Sequence, residues 1–86
     1  KRHMAQIRNC YNQQLKSNPG LKGRIATQFV ISGSGRVSQA GVESSSIGNA
    51  QVESCLTGVI RRIVFPEPLG GGIVEVKYPF SFSANQ

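Results

Sequence analysis

The 86-residue chain predicts an α+β fold, a three-stranded antiparallel sheet with two helices on one face. Two stretches repeat apolar residues every three or four positions. Three others alternate them, and clusters of Gly, Pro, Asn and Ser separate the five. The resulting order is helix, strand, strand, helix, strand (α-β-β-α-β), and residues 1–86 suffice for one domain with one modest core.

The first helix is expected over residues 2–16. Met4, Ile7, Tyr11 and Leu15 form one stripe there, with Cys10 on it. Asn18-Pro19-Gly20 stops that helix, because proline restricts the residue before it and glycine accepts left-handed geometry. Arg24 to Ser32 alternates next, with Ile25, Thr27, Phe29 and Ile31 on one face. Gly33-Ser34-Gly35 closes a hairpin into a weaker strand over 37–45, whose apolar phase shifts in a way that predicts a bulge near Gln39 to Gly41.

Asn49 is an N-cap candidate for a second helix carrying Val52, Cys55, Leu56, Val59, Ile60 and Ile63. Phe65-Pro66-Glu67-Pro68 ends it. Gly70-Gly71-Gly72 leads into a strand rather than into a helix opened by Gly-Lys-Ser/Thr, so it lacks the form of a phosphate-binding loop. The last strand, 73–83, sets Val74, Val76, Tyr78, Phe80 and Phe82 on one face, which the two helices are expected to cover. Pro79 cannot donate a ladder hydrogen bond, which places this strand at the sheet edge, beside strand one. Arg24, Gln28, Glu75 and Lys77 mark the opposite, wet face.

Lys and Arg number 10 against 4 acids, all Glu, for a net charge of +6; there is one His, His3, and no Trp. So thin a titratable set argues against an enzyme, since acid–base sites combine at least two such groups within reach. His3 and Cys10 lie seven apart, nearly two helical turns. Cys10, Cys55 and His3 supply only three ligands for a zinc site that needs about four, so neither metal nor cofactor is expected. The basic residues are dispersed apart from Lys1-Arg2 and Arg61-Arg62, and the aromatics fall on apolar faces. A solvated basic surface is therefore the reading, with a basic nucleic-acid-binding α+β module as the alternative. No run approaches the length of a transmembrane span and no signal peptide is visible. The start at Lys1 reads as a domain excised from a longer protein.

Cys10 and Cys55 each sit on the apolar stripe of a helix. Either a disulfide or two reduced core cysteines fits that placement. The edge of the last strand is open to the same two-way reading. It is blunted by Glu75, Lys77 and Pro79, or it is used to add a partner strand, or to pair two copies of the chain edge to edge. A donor facing outward at Val76 would be removed by Val76→Pro.

Gly23-Arg24-Ile25, Phe29-Val30-Ile31, Gly35-Arg36-Val37, Ser44-Ser45-Ser46, Phe65-Pro66 and the closing strand, in this order, resemble the C-terminal domain of TonB. Gln6-Ile7-Arg8-Asn9-Cys10-Tyr11, Val52-Glu53-Ser54-Cys55, Phe65-Pro66-Glu67-Pro68 with Gly70-Gly71-Gly72, and Tyr78-Pro79-Phe80 resemble more closely the TonB-like domain of AgmX/PglI type, from gliding-motility envelope proteins. The resemblance covers nearly the whole chain. It implies a non-catalytic periplasmic module on a longer protein anchored in the inner membrane and belonging to a proton-motive motor complex. The implied partner is an outer-membrane or periplasmic envelope protein, docked on the third strand at Gly72, Ile73, Val74, Glu75, Val76, Lys77 and Tyr78; nucleic acid is not implied. The family's cysteine pair maps onto Cys10 and Cys55, which implies a disulfide. Ile63 stands where TonB sequences carry an aromatic, and Cys10-Tyr11 replaces the Tyr-Pro that opens the first helix in transporter-type TonB. Both departures point to the motility-type branch.

Overall fold

The computed structural model describes residues 2–84. Lys1, half of the N-terminal basic pair, lies outside them, as do Asn85 and Gln86. Its elements follow the predicted order: α1 (Arg2–Leu15), β1 (Gly23–Ile31), β2 (Val37–Ser45), α2 (Ala50–Arg62), a 3-10 turn at Leu69–Gly71, and β3 (Val74–Phe82). Among the described residues no helix is long and apolar enough to cross a membrane.

The sheet is antiparallel with strand order β2-β1-β3, so β3 forms an edge beside β1 as Pro79 predicts. Ile25, Thr27, Phe29 and Ile31 are all buried on the helix side of β1. Ile7, Cys10 and Tyr11 from α1 join Val52, Leu56, Val59 and Ile60 from α2 above them. Asn49 caps α2 through its Oδ1, which accepts from the Val52 N–H at 3.0 Å. Tyr11, fully buried, donates its hydroxyl hydrogen bond to the Leu21 carbonyl, so the loop after α1 is tied back to the helix.

Four expectations change. The bulges in β2 fall on either side of 39–41. Register shifts between Val30 and Ile31 leave Ser38 extra, and those between Ala26 and Thr27 leave Glu43 extra. Met4 is 55% exposed, because α1 packs mainly against α2 and only its middle reaches the core. Cys55 is exposed, whereas Cys10 is buried; Cys55 lies on the border of the α2 stripe. The helices do not cover the apolar face of β3 along its length. Phe82 is buried against Tyr11, with ring centroids 5.1 Å apart, but Val74 and Tyr78 are 42% and 51% exposed. The reason is placement: α2 lies over β1 and β2, and α1 meets β3 only near the C-terminal end of the strand.

Two glycines fix the hairpin end. Gly35 has φ of +85°, a region glycine enters without strain, and a Cβ there would run into the Phe65 carbonyl oxygen. Its own carbonyl accepts the Phe65 N–H at 2.8 Å. That docking brings Phe65 over Phe29, with centroids 5.9 Å apart. Gly33 is equally close-packed, since a Cβ on it would approach the Gly71 carbonyl oxygen to 2.6 Å. The segment leading into β3 is thereby held against the β1–β2 turn.

Candidate protein-interaction edge

In an antiparallel pair the N–H and C=O of one residue point the same way, and successive residues alternate between the neighbouring strand and the far side. One hydrogen bond settles the alternation on β3. The Thr27 hydroxyl on β1 donates to the Tyr78 carbonyl at 2.7 Å, so the backbone of Tyr78 points towards β1. The backbones of Val74, Val76, Phe80 and Phe82 share that direction. Those of Glu75, Lys77, Pro79 and Ser81 point out from the sheet. Pro79 falls in the outward set, where its missing N–H costs no bond to β1. Val76 falls in the inward set, so Val76→Pro would break the β1–β3 ladder; the outward donors belong to Glu75 and Lys77.

Side chains on β3 divide by face. Lys77 lies opposite Gln28 and pairs with Glu43 across the wet face at 3.4 Å, while Gln28 donates to the Glu75 carboxylate. Both groups of the ion pair are largely exposed, so the pair itself contributes less than about 1 kcal/mol. On the helix side, Tyr78 and Phe80 meet edge to face at 4.8 Å, and Val74, further along the same face beyond Val76, is exposed. Gly72 and Ile73 precede the strand; Ile73 is 75% exposed. Of the seven residues 72–78, Val74 to Tyr78 lie on the β3 edge, and Gly72 and Ile73 fall before the strand begins.

The opposite edge of the sheet differs. Because odd-numbered residues of β1 bond to β3, Ala40, which stands opposite Phe29, directs its backbone outward from β2. Its carbonyl is occupied by the Arg61 guanidinium, Nη2 donating at 2.9 Å. The two bulges flank that point and distort the edge. Position alone marks Arg61 as a cation at the C-terminal end of a helix; nothing in the sequence signals that it reaches β2.

Cys10 and Cys55 are joined, with a Cα–Cα distance of 5.6 Å across a separation of 45 residues. The bridge ties α1 to α2 and takes both thiols out of reach of metal or nucleophilic chemistry. His3, half-buried on α1, is 3.4 Å from Gln6 Oε1. Among the described residues, no group of three or more His, Cys, Asp or Glu is arranged to hold a metal ion.

Fold and edge define a class: a small α-β-β-α-β domain whose β3 edge is regular and whose β2 edge is bulged and contacted by Arg61. Comparison with models of protein families finds no match, and comparison with curated proteins finds none. Among solved structures the chain is similar to TonB C-terminal domains. The Pseudomonas aeruginosa TonB C-terminal domain superposes with a TM-score of 0.67 at 19% identity, over 88% of this chain and 78% of that one. Helicobacter pylori TonB domains give TM-scores of 0.61. The longer is 19% identical over 99% of this chain and 83% of its own, and the shorter 17% over 98% and 96%. At these identities the likeness establishes the fold: this chain has the architecture of a TonB C-terminal domain.

Proposed function

We propose that this domain is a non-catalytic protein-interaction module of a bacterial cell envelope that binds a partner by strand addition to β3. The partner pairs with the stretch Gly72 to Tyr78. The observation carrying this reading is the asymmetry of the sheet. The outward backbone groups of Glu75 and Lys77 have no neighbouring strand, whereas the outward carbonyl of Ala40 on β2 is occupied by Arg61. An unpaired edge of this kind is a template for an extended segment, with main-chain hydrogen bonds supplying affinity.

The TonB-like architecture and the Cys10–Cys55 bridge support a place in an oxidising compartment, the periplasm. In this reading the domain belongs to a longer protein anchored in the inner membrane, part of a proton-motive machine of the gliding-motility type, with an outer-membrane or periplasmic partner. The motility assignment rests on the AgmX/PglI-like motifs alone.

The test is a photo-crosslinking amino acid at position 77 of the full-length protein in living cells. Lys77 is exposed beside the open edge, so a probe there is tolerated. Capture of one discrete envelope protein is expected. Capture of a second copy of the chain would replace the reading with edge-to-edge dimerisation. Capture of nucleic acid would replace it with a basic nucleic-acid module, whose affinity falls steeply with salt.

A further inference from the structure

The two ends of the Cys10–Cys55 bridge differ in access. Cys10 is 3% exposed and belongs to the core cluster that holds Ile7 and Tyr11, whereas Cys55 is exposed on α2. A helix covers its main chain with its own turns, so exposure at Cys55 belongs largely to the side chain. One turn away on either side stand Gln51, which is exposed, and Gly58, which has no side chain. A Cβ at Gly58 would have Arg62 Nη1 as its neighbour, at 3.6 Å. The turn of α2 beside Cys55 is thus bare, and a cation folds back over it. Glu53, the acid of α2, lies two residues before Cys55 and so on the opposite side of the helix.

We infer that Cys55 is a thiol–disulfide exchange site: a small anionic thiol enters and leaves the bridge at Cys55, and Cys10 is the sulfur released and recaptured. In the opening step the thiolate bonds to Cys55 Sγ and the Cys55–Cys10 bond breaks. The electron pair of that bond stays on Cys10 Sγ, which takes a proton. A second thiolate then attacks the sulfur of the first and releases Cys55, so two thiols are oxidised to a disulfide and the bridge gains two electrons. Closure runs the same steps backwards, with a disulfide reagent loading Cys55 and Cys10 expelling it.

The fold makes this exchange one-sided. An adduct on Cys55 projects into solvent beside Arg62, whose charge draws an anionic thiol. Meanwhile α1 stays docked through the hydrogen bond from Tyr11 to the Leu21 carbonyl and through the Tyr11–Phe82 stack. An adduct on Cys10 needs room inside the cluster of Ile7 and Tyr11, so α1 has to leave first. The released Cys10 stays in place next to the adduct, and a thiolate among apolar groups is poorly stabilised. Reclosure therefore outruns net reduction. The bridge exchanges readily at its outer sulfur and is seldom lost.

The experiment treats the oxidised, folded chain with reduced glutathione. Acid quenching, peptic digestion and mass spectrometry then locate the adduct. Glutathione is expected on Cys55 about a hundredfold more often than on Cys10, at a rate unchanged by urea too dilute to unfold the chain. Adduct on Cys10, or evenly on both sulfurs, would overturn the proposal. So would an adduct that forms only as urea unfolds the chain, since the folded state would then offer neither sulfur. Single-cysteine variants test the closing direction with an aromatic disulfide reagent, and circular dichroism selects those that are folded. Cys10→Ala should react about as fast as an unfolded cysteine peptide, and Cys55→Ala about a hundredfold more slowly. Equal rates in two folded variants would again overturn the assignment. Arg62→Gln should slow glutathione addition about threefold at low ionic strength and leave it unchanged at high ionic strength. No slowing at low ionic strength would overturn the part given to Arg62.

Discussion

Removing the Cys10–Cys55 bridge should cost the domain a third or more of its margin of stability. In the chain-entropy model a cross-link restricts the unfolded chain by an amount set by the enclosed loop. For a separation of 45 residues this comes to about 13 cal/mol/K, or about 4 kcal/mol near room temperature. A domain of 86 residues has in all roughly 4–13 kcal/mol. The cleaner substitution is Cys55→Ala, because Cys55 is exposed and Cys10 is left as a buried thiol, which behaves as a small apolar group. Cys10→Ser buries a hydroxyl among Ile7, Tyr11 and their neighbours as well, adding about 1–3 kcal/mol where it finds no partner. Urea unfolding is the assay, on oxidised protein, protein reduced with dithiothreitol, and both variants. Cys55→Ala and reduced protein should lose the same 3–4 kcal/mol or so, with Cys10→Ser losing more. A loss below about 1 kcal/mol in Cys55→Ala would refute the argument. It would mean either that the unfolded chain keeps α1 near α2 without the bridge or that the bridge strains the fold.

Three further outcomes are expected. Tyr11→Phe leaves the Leu21 carbonyl without its donor in a buried site and should lower unfolding free energy by about 1–2 kcal/mol in urea titration. Gly35→Ala forces a side chain into the left-handed region and into the Phe65 carbonyl, so a loss of about 2–3 kcal/mol is expected by thermal unfolding. Arg61→Ala should change stability by less than about 0.5 kcal/mol, since Arg61 is exposed, while uncovering the Ala40 carbonyl. Sedimentation at rising concentration should then show more self-association than in wild type. A variant that self-associates no more than wild type would assign protection of that edge to the bulges alone.

The sequence carried the element order and the edge position of β3 because local rules decide both. Period-two and period-3.6 spacing sort the elements, Asn49 and the Asn-Pro-Gly turn bound the helices, and Pro79 marks an edge. Spacing also assigned each residue of β3 to its face. It did not show how much of that face is covered, because coverage depends on where the helices lie along the strand. α1 reaches only as far as the Tyr11–Phe82 contact, and so Val74 and Tyr78 stay exposed on a stripe that alternation alone marks as core. The bulges slipped for a related reason. Val37, Ala40 and Val42 show that phase is lost within β2, but only pairing with β1 shows that it is lost twice, at Ser38 and Glu43. Arg61 closing β2 and Thr27 bonding Tyr78 are contacts between residues 21 and 51 positions apart, beyond the reach of any local pattern.

Pro79 has opposite meanings at the two scales. In the sequence it blunts an edge. In the structure its nitrogen faces outward, so what it withholds is one donor from an arriving strand, and the β1 ladder is untouched. A strand added along β3 meets both backbone groups at Glu75 and at Lys77, then only the carbonyl at Pro79. The missing bond falls where a groove lined by Met4, Tyr78 and Phe80 opens between α1 and β3. Under the strand-addition proposal, hydrogen bonding that ignores sequence dominates near Lys77, and side-chain packing that reads it dominates beyond. Replacing Pro79, which lines one wall of the groove, by Val restores the donor. It should strengthen peptides of any sequence by similar factors and so reduce discrimination among them only slightly. A gain confined to peptides of one sequence would contradict that division.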